Sequence, residues 1–163
     1  MTVIDNLILT INPGIFLILG GLISSILPLK IAQKFNIALP LLLLLSLWNT
    51  EQGNHFSVLF LGYNLELFRV DAFSYIFGII FLIAIAVANL YSIGANTGKI
   101  EPSASMIYAG SATAAVFAGD LITLFIFFEI AAISSVFLIW ARGTKRAFSA
   151  GFRYLIVQIG AGV

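Results

Sequence analysis

Residues 121–138 read Leu-Ile-Thr-Leu-Phe-Ile-Phe-Phe-Glu-Ile-Ala-Ala-Ile-Ser-Ser-Val-Phe-Leu, and Glu129 is the only charged residue among them. The apolar run continues to about Ala141. A helix needs about 20 mostly apolar residues to cross a bilayer. The stretch therefore predicts a transmembrane helix that carries one acidic side chain in its interior.

The composition of the whole chain indicates the same environment. Of its 163 residues, 61% are hydrophobic and 9% are charged, whereas soluble domains are about half apolar and a quarter charged. The net charge is +1 with no basic patch, so we expect no nucleic-acid partner. The chain has no cysteine, one histidine, no phosphate-binding loop and no nucleophile paired with a base. We therefore predict no catalytic residue, cofactor or metal in this chain.

Six apolar segments predict an all-α integral membrane protein with five or six transmembrane helices in a single membrane domain, residues 1–163. Asp5 is the only charge before the first segment, and a signal peptide carries positive charge there, so we expect that segment to stay in the mature protein. The segments lie at about 13–29, 31–48, 72–93, 103–119, 121–141 and 147–163.

A polar stretch, residues 49–71, separates the second and third segments. From Ser57 to Asp71 apolar and polar residues alternate around Gly62-Tyr63-Asn64, a pattern typical of two strands joined by a tight turn. We predict a short extracytoplasmic β-hairpin here. An irregular loop is the alternative.

The distribution of basic residues predicts the orientation, because cytoplasmic loops carry an excess of lysine and arginine. With the N-terminus outside, the outer loops hold only Arg69. Arg153 lies in the first turns of the last segment, from which its long side chain could reach back to the inner surface. We predict a multi-pass plasma-membrane protein with its N-terminus and residues 49–71 outside. The basic residues of the inner loops are then Lys30, Lys34, Lys99, Arg142, Lys145 and Arg146.

Glu129 is the candidate functional residue. Counted from Asp120 it lies about 13 Å along the helix, near the middle of a hydrocarbon core about 30 Å thick. Inserting an acidic side chain there costs at least ~2.5 kcal/mol, and such residues usually serve a function. We predict a proton relay, and the small residues that follow, among them Ser134 and Ser135, favour close or hydrated helix contacts. The alternative is a protonated glutamate that only hydrogen-bonds a neighbouring helix.

The other polar residues have structural explanations. Asp120 follows Gly119 at the start of the fifth segment, where aspartate is a good N-cap, and we favour a cap over an ion site. Asp71 stands in the same position before the third segment. We expect His55 to be a solvated loop residue.

Two stretches resemble a known family of membrane proteins. They are Ala118-Gly-Asp-Leu-Ile-Thr-Leu-Phe-Ile-Phe-Phe-Glu129-Ile-Ala-Ala-Ile-Ser-Ser and Thr144-Lys-Arg-Ala-Phe-Ser-Ala-Gly-Phe-Arg-Tyr-Leu155. They resemble the antiporter-like proton-translocating membrane subunits, above all the D-type component of the multisubunit Mrp-type sodium/proton antiporters. The related membrane subunits of respiratory complex I are similar. The resemblance runs from about Leu59 to the end.

The resemblance implies that this chain corresponds to the N-terminal third of such a subunit and contributes Glu129 to a transmembrane proton path. In the family this glutamate pairs with a lysine on a later helix, which has no counterpart in these residues. Arg153 stands where the family often has lysine. Implied partners are the lipid bilayer, other antiporter or complex I-like membrane subunits, protons and sodium. The alternatives are a proton-translocating subunit of a complex I-type NADH:quinone oxidoreductase or membrane-bound hydrogenase, which leaves open whether the complex is an enzyme, and a non-transporting truncated membrane scaffold.

Overall fold

A computed structural model describes residues 10–94 and 100–162 of the chain, and these residues form six helices and one β-hairpin. The elements in chain order are α1 Pro13–Ile26, α2 Leu29–Trp48, β1 Gly53–Phe60, β2 Tyr63–Val70, α3 Ala72–Ser92, α4 Ile100–Val116, α5 Leu121–Trp140 and α6 Lys145–Gly162.

The mostly helical fold predicted from the apolar segments is confirmed. Three of the described helices, α2, α3 and α5, have the length and apolar composition needed to cross a membrane, and α1 is apolar but has 14 residues. Pro40 lies inside α2, which runs as one helix from Leu29 to Trp48. Gly98 and Lys99 belong to the predicted inner loop between the third and fourth apolar segments. These two residues and Asp5 lie outside the described residues.

The predicted hairpin is present, and its first strand is longer than expected. β1 begins at Gly53 and pairs antiparallel with β2. Leu61 and Gly62, between the strands, have φ of 50° and 85°, and tight hairpin turns of this kind favour glycine and asparagine. The expectation of a solvated loop for His55 is wrong, because His55 lies in β1. There it is half-buried with its ring 5.1 Å from that of Phe68, so the strand pairing has ordered it.

The hairpin is attached to the helices by hydrogen bonds at both ends of the α4–α5 connection. The amide of Arg69 donates to the Phe117 carbonyl oxygen (2.9 Å), and the amide of Gly119 donates to the Glu66 carbonyl oxygen (2.8 Å). The ring of Phe68 is fully buried against Phe117 in an edge-to-face contact, 5.4 Å between centroids. The hairpin therefore closes one end of the helical bundle.

Helices α1 and α4 pack at very close range because their contact surface consists of small residues. A Cβ placed on Gly110 would lie 2.7 Å from the Leu17 Cβ and 2.9 Å from the Gly14 carbonyl oxygen. One on Gly21 would lie 3.0 Å from the Ser103 carbonyl oxygen. Small residues that let helix backbones touch are typical of helix contacts in membranes.

The outer surface of the helical bundle is unusually apolar, and its core is apolar as well. Large apolar side chains cover the outside of α2, α3, α5 and α6, as at Leu45 (67% exposed), Val87 (60%) and Val157 (71%). Monomeric soluble proteins rarely expose apolar patches on this scale. Among the described residues, ten polar side chains are buried beside this apolar core: Asn12, Ser24, Asn36, Ser74, Asn89, Ser103, Ser111, Thr113, Thr123 and Ser134.

The α1–α4 contact predicts a specific sensitivity to added volume. Gly110→Ala should lower the thermal unfolding midpoint of the detergent-solubilised protein, because overpacking a tight contact costs about 1–3 kcal/mol. Gly160 is the matched control, since a Cβ there meets no atom within 4 Å. Gly160→Ala should leave the midpoint unchanged or raise it slightly. Equal midpoints for the two variants would show that α1 and α4 do not pack this closely.

Candidate functional site

Glu129 lies on the side of α5 that faces away from α4. The residues of α5 that are buried toward α4 include Thr123, Phe127 and Ala131. At about 100° per residue, Glu129 points nearly opposite to them. Its neighbours on the same side, Phe125 and Ile133, are each about half exposed. The carboxylate therefore lies on the apolar outer surface of α5.

The Glu129 side chain is half-buried, and within the described residues it makes no hydrogen bond and no ion pair. The ion pairs of the described residues all involve Arg69, with Glu66 at 3.7 Å and Asp71 at 3.8 Å. A carboxylate removed from water is unfavourable unless a cation, a hydrogen-bond donor or a proton neutralises it. No such group faces Glu129 among the described residues.

A small polar cavity of about 150 Å³ lies next to this surface, between α4, α5 and α6. The hydroxyl of Ser135 donates to the Ala132 carbonyl oxygen (2.6 Å) and lies 3.1 Å from the Tyr154 hydroxyl. Glu129 does not line this cavity. The polar residues that line it are Tyr108, Ser111, Tyr154 and Gln158.

The two serines after Glu129, which favour close or hydrated helix contacts, do not share its face of α5. Ser134 is buried toward α4, where its hydroxyl donates to the Ala131 carbonyl oxygen (2.9 Å). Ser135 contacts α6 instead. Each serine is more than a quarter turn from Glu129 around the helix. Glu129 is consequently separated from both hydroxyl groups.

Asp120 caps α5, as predicted, and also binds the hairpin, which the sequence did not indicate. Its Oδ1 accepts hydrogen bonds from the amides of Ile122 and Thr123, both at 2.9 Å. Its Oδ2 accepts from the Thr123 hydroxyl (2.6 Å) and from the amide of Glu66 in β2 (2.7 Å). One carboxylate therefore joins the start of α5 to the hairpin and fixes where Glu129 lies relative to it.

The two cap carboxylates hold their charge at low pH. Burial would raise the pKa of Asp120, but the hydrogen bonds from Thr123, Glu66 and Ile122 outweigh it and bring the pKa below its usual 3.8. The pKa of Asp71 is also lowered, chiefly by the hydrogen bond from the Ser74 amide and further by the nearby Arg69. The Asp71 side chain and Ser74 form a reciprocal capping box at the start of α3.

Asn12 and Asn36 are buried in the bundle, at the start of α1 and within α2. Asn12 accepts from the Gly14 amide and donates to the carbonyl oxygens of Leu67 (2.9 Å) and Ala114 (3.0 Å), so it joins α1, β2 and α4. Asn36 is 1% exposed, and neither polar atom of its side chain has a hydrogen-bond partner among the described residues. Its position as a polar residue among the apolar side chains of the segment 31–48 is the signal that could have identified it.

Comparison with known proteins adds no relative: no protein-family model matches the chain, and no curated protein sequence matches it. Within residues 10–94 and 100–162, no group of three or more His, Asp or Glu side chains could hold a metal ion. The site is therefore described by its geometry alone.

The double role of Asp120 predicts that a substitution there costs more than the loss of a helix cap. Asp120→Asn can still accept from the two α5 amides, but its NH₂ group would face the donating amide of Glu66. Leaving that buried donor unpaired costs about 1–3 kcal/mol. Asp71→Asn is the matched control, because asparagine caps a helix as well as aspartate does. Asp120→Asn should therefore give the lower unfolding midpoint.

The unfolding midpoints of the wild type and of Asp120→Asn can also be compared as a function of pH. A carboxyl whose pKa is lower in the folded state stabilises the fold above its unfolded pKa, and this contribution is lost as the pH falls through the folded pKa. As the pH is lowered below about 4, the thermal unfolding midpoint of the wild type should fall. The midpoint of Asp120→Asn should fall less. Parallel pH profiles would contradict the assigned hydrogen bonds.

Proposed function

We propose that this chain is an integral membrane protein with five or six transmembrane helices, located in the plasma membrane. The apolar outer surface of the helices supports this proposal. In a bilayer, large apolar side chains are favourable on the outside, and association of the helices depends on small residues and buried hydrogen bonds. The glycine contact of α1 with α4 and the hydrogen bond between Ser24 and Ser103 (3.0 Å) have this character.

The proposed orientation places the N-terminus and the hairpin outside. The asymmetry of basic residues supports it. On the outside, Arg69 is neutralised by Glu66 and Asp71. At the opposite end of the bundle, Arg142, Lys145 and Arg146 have no acidic partner among the described residues.

The proposed function is that of a subunit, or part of one, of a multisubunit monovalent cation/proton antiporter, in which Glu129 belongs to a transmembrane proton path. The observation that carries it is the position of Glu129: a carboxylate near the middle of an apolar α5, with no partner in the described residues. An ionisable residue in a membrane helix marks an ion or proton path by default. The resemblance of residues 118–135 and 144–155 to antiporter-like subunits gives the class of transporter.

The outward direction of Glu129 supports a site completed by another polypeptide segment. In this arrangement a cation or hydrogen-bond donor from that segment faces the carboxylate across the surface of α5. The proton then moves between Glu129 and groups that this part of the chain does not contain. A redox-driven complex of the complex I or hydrogenase type would use the same arrangement with a different energy source.

The test is Glu129→Gln, measured in membranes that contain the complete complex at matched levels. Glutamine keeps the shape and hydrogen bonding of glutamate but cannot release a proton. We expect the complex to assemble and cation-dependent proton movement to stop. Glu129→Asp retains an acid with a shorter reach, so its activity should fall without vanishing.

Glu51→Gln is the control. It removes the same charge from an exposed position before β1 and should leave proton movement unchanged. Wild-type activity in Glu129→Gln would show that Glu129 is only a structural hydrogen-bonding group. Glu129 would then take no part in proton movement, which is the result expected for a non-transporting scaffold.

A further inference from the structure

The turn between α5 and α6 brings two arginines to one cavity. Arg142 follows the end of α5, and Arg146 lies in the first turn of α6. Both line an open cavity of about 660 Å³ whose remaining walls are mostly apolar, including Leu138, Ile139 and Ala150. A cationic rim thus adjoins an apolar wall in one continuous space.

The geometry of the turn holds these residues in place. Gly143 adopts a φ of 67°, and its amide donates to the Trp140 carbonyl oxygen (2.9 Å), which ends α5. The Thr144 hydroxyl accepts from the amide of Ala147 (3.1 Å) and caps α6. The ring of Trp140 stacks on Phe148 at 5.1 Å and donates through Nε1 to the Phe148 carbonyl oxygen. The ends of the two helices are therefore fixed to each other, which sets the distance between the backbones of Arg142 and Arg146.

The charges here are not compensated within the described residues. Neither Arg142, Lys145 nor Arg146 forms an ion pair, and α6 contains no acidic residue. The N-terminus of α6 adds a positive partial charge at the same place. Trp140, the last residue of α5, has an amphipathic ring of the kind that gathers at the membrane–water interface.

We infer that this cavity binds one anionic phospholipid, with the phosphate between Arg142 and Arg146 and an acyl chain along Leu138 and Ile139. The charge selects an anion, and guanidinium groups bind phosphate oxygens in pairs. The apolar wall selects a ligand that also has a hydrocarbon chain. Basic pockets between helices at the cytoplasmic face are a recognised way to hold such head groups. The inference rests on the proposed membrane location but not on proton transport.

The experiment measures the lipid retained by the protein, in its complex, after extraction in mild detergent. Phosphatidylglycerol and phosphatidylcholine vesicles are the probes, and native mass spectrometry counts the bound lipid. Wild type should retain phosphatidylglycerol in preference to phosphatidylcholine. Arg142→Gln/Arg146→Gln should weaken retention roughly 5-fold for each cation removed. Lys30→Gln/Lys34→Gln is the control, because it removes the same charge from exposed positions of α2 outside the cavity and should retain the lipid.

A second variant separates the cavity from its charge. Ala150→Trp leaves both arginines in place and fills the space beside them, so it should also lose phosphatidylglycerol. Unchanged retention in both cavity variants would overturn the inference, as would equal retention of the two lipids. Displacement of the lipid by millimolar inorganic phosphate would show a simple anion site. Cross-linking of Arg142 to a partner subunit in wild-type membranes would show a protein contact instead. Either result would overturn the inference that the cavity binds a phospholipid.

Proton movement in Glu129→Gln is an independent readout. If it persists while phosphatidylglycerol still binds, the proposed function fails and the lipid site stands. If proton movement stops while phosphatidylglycerol does not bind, the lipid site fails and the proposed function stands.

Discussion

The close approach of α1 and α4 is the constraint on which the rest of this structure depends. Gly14, Gly21 and Gly110 let the two backbones touch, and no larger side chain fits between them. This contact places Ala114 where Asn12 can hydrogen-bond its carbonyl oxygen and that of Leu67 in the hairpin. A pair of helices held by small residues thereby positions the hairpin at the end of the bundle.

The hairpin in turn positions the helix that carries the candidate site. Phe117 and Gly119 hydrogen-bond to β2 through the backbone, and the carboxylate of Asp120 binds the amide of Glu66. The start of α5 is therefore fixed at both its backbone and its cap. From that fixed start, about two and a half turns of helix put Glu129 on the outer surface, away from α4. The same packing leaves the basic turn at the far end of α5 without an acidic partner among the described residues.

Much of the fold could be predicted from the sequence because it depends on local patterns. Runs of apolar residues give the helices, alternation around Gly62 gives the hairpin, and Asp71 and Asp120 stand where helix caps belong. What failed depends on contacts between distant residues. His55 became part of a strand because β1 pairs with β2. The hydrogen bond from the Glu66 amide to Asp120 could not be predicted, because no local pattern encodes which strand lies opposite the start of α5.

We propose that the apolar outer surface around Glu129 lies inside a membrane, between an outer hairpin and an inner basic end. Single cysteines at Asn54, Gly94 and Phe128, treated in intact vesicles with a membrane-impermeant maleimide, test it most directly. Phe128 is 57% exposed on the surface of the chain, so water would leave a cysteine there reactive, whereas lipid or a neighbouring helix would shield it. If the proposed membrane arrangement is correct, we expect labelling at Asn54 from outside only, at Gly94 from inside only, and at Phe128 from neither side. Rapid labelling at Phe128, or labelling of the other two positions from the same side, would contradict it.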